Sequence, residues 1–284
     1  MSSKALLNSL SLPQQCALIA LPLLVAFGFL FQQMYAQVNT LISSSQNELA
    51  GAETLETLNP LFQTMLMARV NKQSDSSTEL VNALRALKTE LPANWPNTQA
   101  NIDKLIELVP QSLSRNASNA QADALGEHMV TLVRQLADES ELTLDPFLPS
   151  YYMMSPMAFQ LPGVMEYLSD LEGKLRFQGS DVTGTLSFTK SRIGTLKRAL
   201  AEIREAKDKS IAAGGQIPAS AGAQLEAMAQ QLNALSAWVD TQSAKDLNYE
   251  ILTDSPAAVK NLVDATATSF MLSNGLNSAL QDNL

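Results

Sequence analysis

Apolar positions along this chain form one unbroken block near the start and helical stripes thereafter. Residues 16–31 read CALIALPLLVAFGFLF, with no polar side chain. Extending through Ala36 gives residues 16–36, which as a helix cover roughly 30 Å, the hydrocarbon thickness of a bilayer. A transmembrane helix is expected there, with Gln32 and Gln33 at the interface and Tyr35 as an aromatic anchor. A cleaved signal peptide is the alternative. Its cleavage site needs small residues, and Met34-Tyr35-Ala36 puts Met where one belongs.

Beyond residue 36 the alternation of a β-strand is missing, and the helix formers Leu, Ala, Gln and Met dominate. Leu186, Ile193 and Leu200 fall seven apart, with Leu196 and Ile203 between the repeats. Leu225, Leu232 and Val239 repeat this spacing, with Met228 and Leu235 interleaved. Such a pattern predicts helices packed in a bundle or coiled coil.

Breaks divide the remainder into about seven helices and no strands. The first is expected to run on to about Asn71, kinked at Pro60. NKQSDSST (residues 71–78) precedes a face of Leu80, Leu84 and Leu87, and LPANWPN (residues 91–97) ends it. Ile102, Leu105 and Val109 mark a helix ending near Pro110; Leu125, Met129, Leu132 and Leu136 mark the next. After LTLDPFLPS (residues 142–150), residues 151–213 read as one long helical region with glycines as weak points. GGQIP closes it, and Pro218 and Pro256 suit the first turns of the last two helices. The expected class is all-α: a membrane-anchored, elongated antiparallel bundle, compatible with two stacked four-helix modules.

Charge fixes the orientation. All 28 Asp and Glu and all but one of the 19 Lys and Arg lie beyond the apolar block; Lys4 alone precedes it. Residues 1–15 are therefore expected in the cytoplasm and residues 37–284 outside the inner membrane, in the periplasm of a bacterium. A net charge of −9 and no basic cluster argue against nucleic acid. One Cys and one His leave no internal disulfide and no His-rich metal site. No catalytic constellation and no cofactor motif is visible, so an enzyme is not expected.

Several strings resemble a known family. SELTLDPFLPSYYMM (residues 140–154) is similar to S-N-L-x-L-D-P-D-x-D-S-Y-Y-L-M-D of the extracytoplasmic sensor regions of bacterial methyl-accepting chemotaxis proteins. His128 to Leu132 stand where that family has H-x-x-L. Gln160-Leu161-Pro162-Gly163 and Leu171-Glu172-Gly173-Lys174-Leu175-Arg176 resemble its L-P-x-L and L-G-x-L-R. Glu48-Leu49-Ala50-Gly51 and Leu58-Asn59-Pro60-Leu61 resemble its E-x-x-G and L-x-P-L. Phe147, Pro149 and Ser155 replace acids of the pattern, and Ala68-Arg69-Val70 keeps only the arginine of H-R-G.

The resemblance implies a non-enzymatic chemotaxis sensor that binds a small molecule or a periplasmic binding protein and signals by helix displacement, and a homodimer is expected because heptad faces on long helices need a partner surface. It also implies a second membrane helix and a cytoplasmic signalling region. Neither lies within these 284 residues, and Phe270, Leu276 and Leu280, in register on the last helix, lead to the expectation that the sequence is a truncation. The other reading is a single-span envelope scaffold without signalling output.

Four residues are candidate ligand contacts. Arg69 could hold a ligand carboxylate in bidentate fashion, or form a surface salt bridge. Asp145, before Pro146, with Tyr151 and Tyr152 beyond, could border a ligand pocket or simply lock a corner of the bundle. His128 reads as a satisfied core residue and Trp95 as a plug over the bundle's end. Met153, Met154, Met157 and Met165 read as adaptable core packing.

Overall fold

The computed structural model describes residues 11–114, 116–144, 147–176, 182–243 and 256–284. Among these residues there are helices and no strands, so the chain is all-α. It divides into two compact units, Met1–Gln46 and Asn47–Leu284. The first helix, α1, is Leu12–Asn71, and most of the first unit belongs to it. Leu21, Leu24, Val25, Phe27 and Phe31 on this stretch are exposed. By length and composition α1 is apolar enough here to cross a membrane.

In the second unit α1 continues from Asn47 and is followed by α2 (Ser77–Glu90), α3 (Pro96–Ser112) and α4 (Asn119–Glu139). Next come α5 (Leu148–Ser155), a π-helical turn (Pro156–Gln160) and α6 (Leu161–Arg176). The last are α7 (Val182–Ala212), α8 (Ala219–Ser243) and α9 (Pro256–Asn283). Local chemistry explains several of these limits. Pro96 stands at the start of α3, where its missing N–H costs nothing. Ser118 and Gln121 form a reciprocal capping box at the start of α4. Pro156 has no N–H to give, and the wide turn begins at that residue.

Paired contacts give the direction of each neighbour. Asn101 donates to the His128 carbonyl at 3.1 Å and Ser112 to that of Gln121 at 2.8 Å, so α3 and α4 are antiparallel. Arg204–Glu226 and Lys190–Asp240 pairs set α7 against α8 in the same way. Along α1, Asn47 donates to the Glu139 carbonyl and Arg69 to that of Ala122, which makes α4 its antiparallel neighbour. On α9, Asn277 donates to the Ala52 carbonyl, and Asn274 accepts from Asn59. Both α4 and α9 therefore flank the same stretch of α1. These contacts do not show two modules stacked end to end.

Two expectations change. Residues 151–213 are not one long helix: Lys174 lies over the Phe188 ring, Arg192 over Tyr167, and Ser210 donates to the Pro149 carbonyl. Rising numbers meet falling ones, so α5–α6 and α7 form an antiparallel hairpin, its connection lying outside the described residues. Finally, the heptad residues of α7 and α8 are all buried within the chain, Leu196 and Ile203 completely. These faces are satisfied by each other and by their neighbours, so they do not themselves call for a second copy.

The core runs through the whole unit, from Leu55, Leu58 and Met65 on α1 to Leu272 and Leu280 on α9. Met153, Met154, Met157 and Met165 are buried in it, as expected for adaptable packing. At roughly 1.5–3 kcal/mol for each large apolar side chain removed from water, this burial dominates the folding free energy.

Candidate functional site

Two places bring the sequence motifs together. At one end of the unit, Gly51 of α1 packs against Ser140 and Leu142, so close that a Cβ on Gly51 would overlap Ser140. The E-x-x-G-like string and the start of the S-x-L-x-L-D-P-like string thus touch, and glycine is what lets them. Beside them Trp95 is fully buried, and its indole N–H donates to Asn47 Oδ1 at 3.1 Å. Glu139 accepts from the backbone N–H of Asn97 and of Thr98, at 2.9 and 2.8 Å. Its carboxylate caps α3 from the neighbouring helix. Burial alone would raise its pKa, but these donors outweigh burial and hold it below the ordinary value. Trp95 is therefore the expected plug, secured by polar bonds on two sides.

The second place is a cavity of about 490 Å³ bordered by the ends of α1, α3, α4, α6 and α7. Arg69, in the last turn of α1, lines it. Its guanidinium is buried and contacts Glu166 Oε1 at 3.4 Å, the Glu166 carbonyl at 3.3 Å and the Ala122 carbonyl at 3.2 Å. Gly126 makes room for this: a Cβ there would come within 2.8 Å of Arg69 Nη1. Arg69 is thus committed to an ion pair and two carbonyls, and the pair is buried where the sequence reading expected a surface salt bridge.

The charges around it form a network. Burial raises the Glu166 pKa above the ordinary value, opposed by Arg69 and reinforced by Asp170. Asp170 is likewise raised, chiefly by burial, against the pull of Lys174 and Arg69 and with a push from Asp123. Arg192 Nη2 lies 4.0 Å from Asp170 Oδ2, and its guanidinium covers the Tyr167 ring at 4.2 Å. Lys174 Nζ sits 3.6 Å over the Phe188 ring. Asp123, Asp170, Lys72 and Lys174 all line the cavity, together with Ser112, Ser114 and Ser169.

The other sequence candidates are elsewhere. Tyr151 and Tyr152 stand in α5, their rings edge-to-face at 5.7 Å, with Lys209 Nζ 5.9 Å from the Tyr152 ring. Tyr152 and Glu166 are fourteen positions apart, roughly 20 Å along the helical path, so the tyrosines and Arg69 do not share a site. Asp145 lies outside the described residues. His128 Nδ1 is 2.9 Å from Asn101 Oδ1, a hydrogen-bonded pair between α3 and α4.

Sequence reading missed Lys72, Asp123, Asp170 and Phe188. They come from the segment just after α1 and from α4, α6 and α7, and no regular spacing links them. Lys174 alone carried a signal, since it falls within the L-G-x-L-R-like string. Among the described residues no cluster of three or more His, Cys, Asp and Glu could hold a metal ion. Compared with known proteins, the chain matches no family model, no curated protein and no solved structure.

Proposed function

We propose that the chain is the anchored sensing part of a membrane signal transducer, with the cavity at Arg69 as its ligand site. The observation that carries this reading is the position of Arg69. It ends the helix whose beginning is the apolar stretch, and it lines a cavity with charges of both signs. A ligand there changes what the end of α1 is bonded to on α4 and α6. The partner element is α9, antiparallel to α1 and bonded to it through Asn59–Asn274 and Asn277–Ala52. Shifts of one or two ångströms between such helices are enough for signalling, provided the ligand prefers one of the two packings. The resemblance of residues 140–154 to chemotaxis-receptor sensor regions supports the same reading, with the bulk of the chain periplasmic.

The test is a cysteine pair, Asn59→Cys with Asn274→Cys, in a Cys16→Ser background, reconstituted in nanodiscs. Amino acids, carboxylic acids, amines and sugars are screened for their effect on the rate of oxidative cross-linking. A ligand that binds and changes the rate severalfold supports a transducer. Ligands that bind at the Arg69 cavity and leave the rate unchanged would refute it.

A further inference from the structure

We infer that a second cavity, between α1 and α9, takes a small primary ammonium ion, its N–H groups received by the Glu56 carboxylate, the Glu56 carbonyl and Asn277 Oδ1. The cavity measures about 320 Å³ and is lined by Glu56 and Pro60 of α1 and by Asn274, Asn277 and Ser278 of α9. It shares no residue with the space beside Arg69. The proposal goes beyond the sensing reading and does not rest on it.

Three oxygens here have capacity to spare. The Glu56 carboxylate accepts one hydrogen bond, from Gln281 Nε2 to Oε2 at 3.1 Å, and among the described residues no Lys or Arg pairs with it. Pro60 stands four positions on in the same helix and has no N–H to give to the Glu56 carbonyl, so that carbonyl lacks its usual helical donor. Asn277 is 1% exposed, and its Nδ2 donates to the Ala52 carbonyl at 3.0 Å. Its Oδ1 is buried and, among the described residues, has no hydrogen-bond partner. Leaving such an oxygen without a donor is costly, so a ligand that supplies one gains by it.

The charge of the walls selects the ligand. No Lys or Arg lines the cavity, so Glu56 makes it negative and an anion is repelled. A primary ammonium brings one positive charge, three N–H donors and no acceptor, which matches three oxygens. Asn274, whose Oδ1 already accepts from Asn59, and Ser278 border the rest of the space, which has room for a short carbon chain. A divalent cation is the poorer occupant, because it takes six or more oxygens with several carboxylates and only one carboxylate lines this space.

The experiment is calorimetry on the full chain in phosphatidylcholine nanodiscs, whose lipid carries no primary ammonium. The probes are methylamine, ethanolamine and propylamine. Tetramethylammonium keeps the charge without N–H groups, propanol keeps the chain without the charge, and K⁺ and Ca²⁺ stand for metal ions. At least one amine should bind about tenfold or more tightly than tetramethylammonium and propanol. Glu56→Gln, at an exposed position, should weaken that amine about tenfold or more. Pro60→Ala supplies the missing N–H to the Glu56 carbonyl. It should weaken binding roughly fivefold while raising the unfolding temperature, a combination that damage to the fold cannot produce. Binding of none of the amines, equal binding of tetramethylammonium or propanol, tighter binding of K⁺ or Ca²⁺, or undiminished binding in either variant would overturn the proposal. Calorimetry reads the site whether or not the helices move, so its failure leaves the cross-linking test of the sensing reading intact.

Discussion

The ion pair between Arg69 and Glu166 should respond unequally to loss of its two members. Side-chain exposure is 7% for Arg69 and 15% for Glu166, so both charges have given up most of their water. Burial raises the Glu166 pKa in spite of the adjacent guanidinium. Desolvation therefore outweighs attraction for this carboxyl group, and a neutral isostere is better suited to its place than the charge is. Glu166→Gln keeps an acceptor for Arg69, which also retains the carbonyls of Ala122 and residue 166 and the nearby charge of Asp170. Its expected cost is below about 1 kcal/mol. Arg69→Met is the opposite case. It leaves a buried carboxylate without its cation and two carbonyls without a donor, for which about 3–5 kcal/mol is the usual loss.

For a unit of this size each kcal/mol moves the unfolding temperature by roughly 2–4 °C. Circular dichroism of the full chain in detergent should show Arg69→Met lowered by about 6–20 °C and Glu166→Gln by no more than about 4 °C. The pH dependence has a definite sign. A carboxyl raised on folding makes the folded state bind more protons than the unfolded one above the unfolded pKa, about 4.3 for Glu. Its contribution is present below that pH and is lost as pH rises through the folded pKa. In Glu166→Gln this decline should become shallower, with Asp170 still contributing its own. A Glu166→Gln variant as unstable as Arg69→Met, or with the same pH slope as the parent, would refute the ranking of desolvation above attraction.

Three further outcomes follow from the other end of the unit. Glu139→Gln removes an anionic cap from α3 and should cost about 1 kcal/mol, with faster amide exchange at Asn97 and Thr98. Because the Glu139 pKa is lowered on folding, its contribution holds above the unfolded value and fades as pH falls through the folded one; unchanged exchange on acidification of the parent would contradict this. Gly51→Ala forces a methyl group into Ser140 and should cost about 1–3 kcal/mol, recovered by adding Ser140→Gly; a double variant no more stable than Gly51→Ala would disprove the steric cause. Asn47→Ala leaves the Trp95 indole N–H and the Glu139 carbonyl without their partner, at about 1–3 kcal/mol. Its thermal transition should fall accordingly, and one matching the parent would show that those bonds are not limiting.

Periodicity carried the helices because it is a local signal: Leu186 to Ile203 and Leu225 to Val239 face inward as their spacing says. It could not say against what. A heptad face is equally satisfied by a second chain or by the next helix of the same chain, and here α7 and α8 meet each other through Lys190–Asp240 and Arg204–Glu226. Helix direction was hidden for a similar reason. Nothing in the composition of residues 151–213 distinguishes a straight helix from a hairpin, whereas the Lys174–Phe188 and Ser210–Pro149 contacts do so at once.

The candidate site was legible only where a single residue held its chemistry alone. Arg69 could be picked out as a lone cation among apolar neighbours, but its burial could not. Its fate depended on Glu166, 97 positions later, and on Gly126, whose missing side chain lets the guanidinium lie flat between helices. The motif strings behave differently, because they were read as strings but act as contacts: Gly51 is small for the sake of Ser140, and Trp95 is held by Asn47 and neighbours the Glu139 cap. A cavity lined from five helix ends is a property of the packing, and each wall residue has an ordinary local reason to be polar at a helix terminus. What makes these residues a site is that the termini converge, and only the antiparallel pairing of α3 with α4 and of α6 with α7 brings Asp123, Asp170 and Lys174 to face one space beside the end of α1.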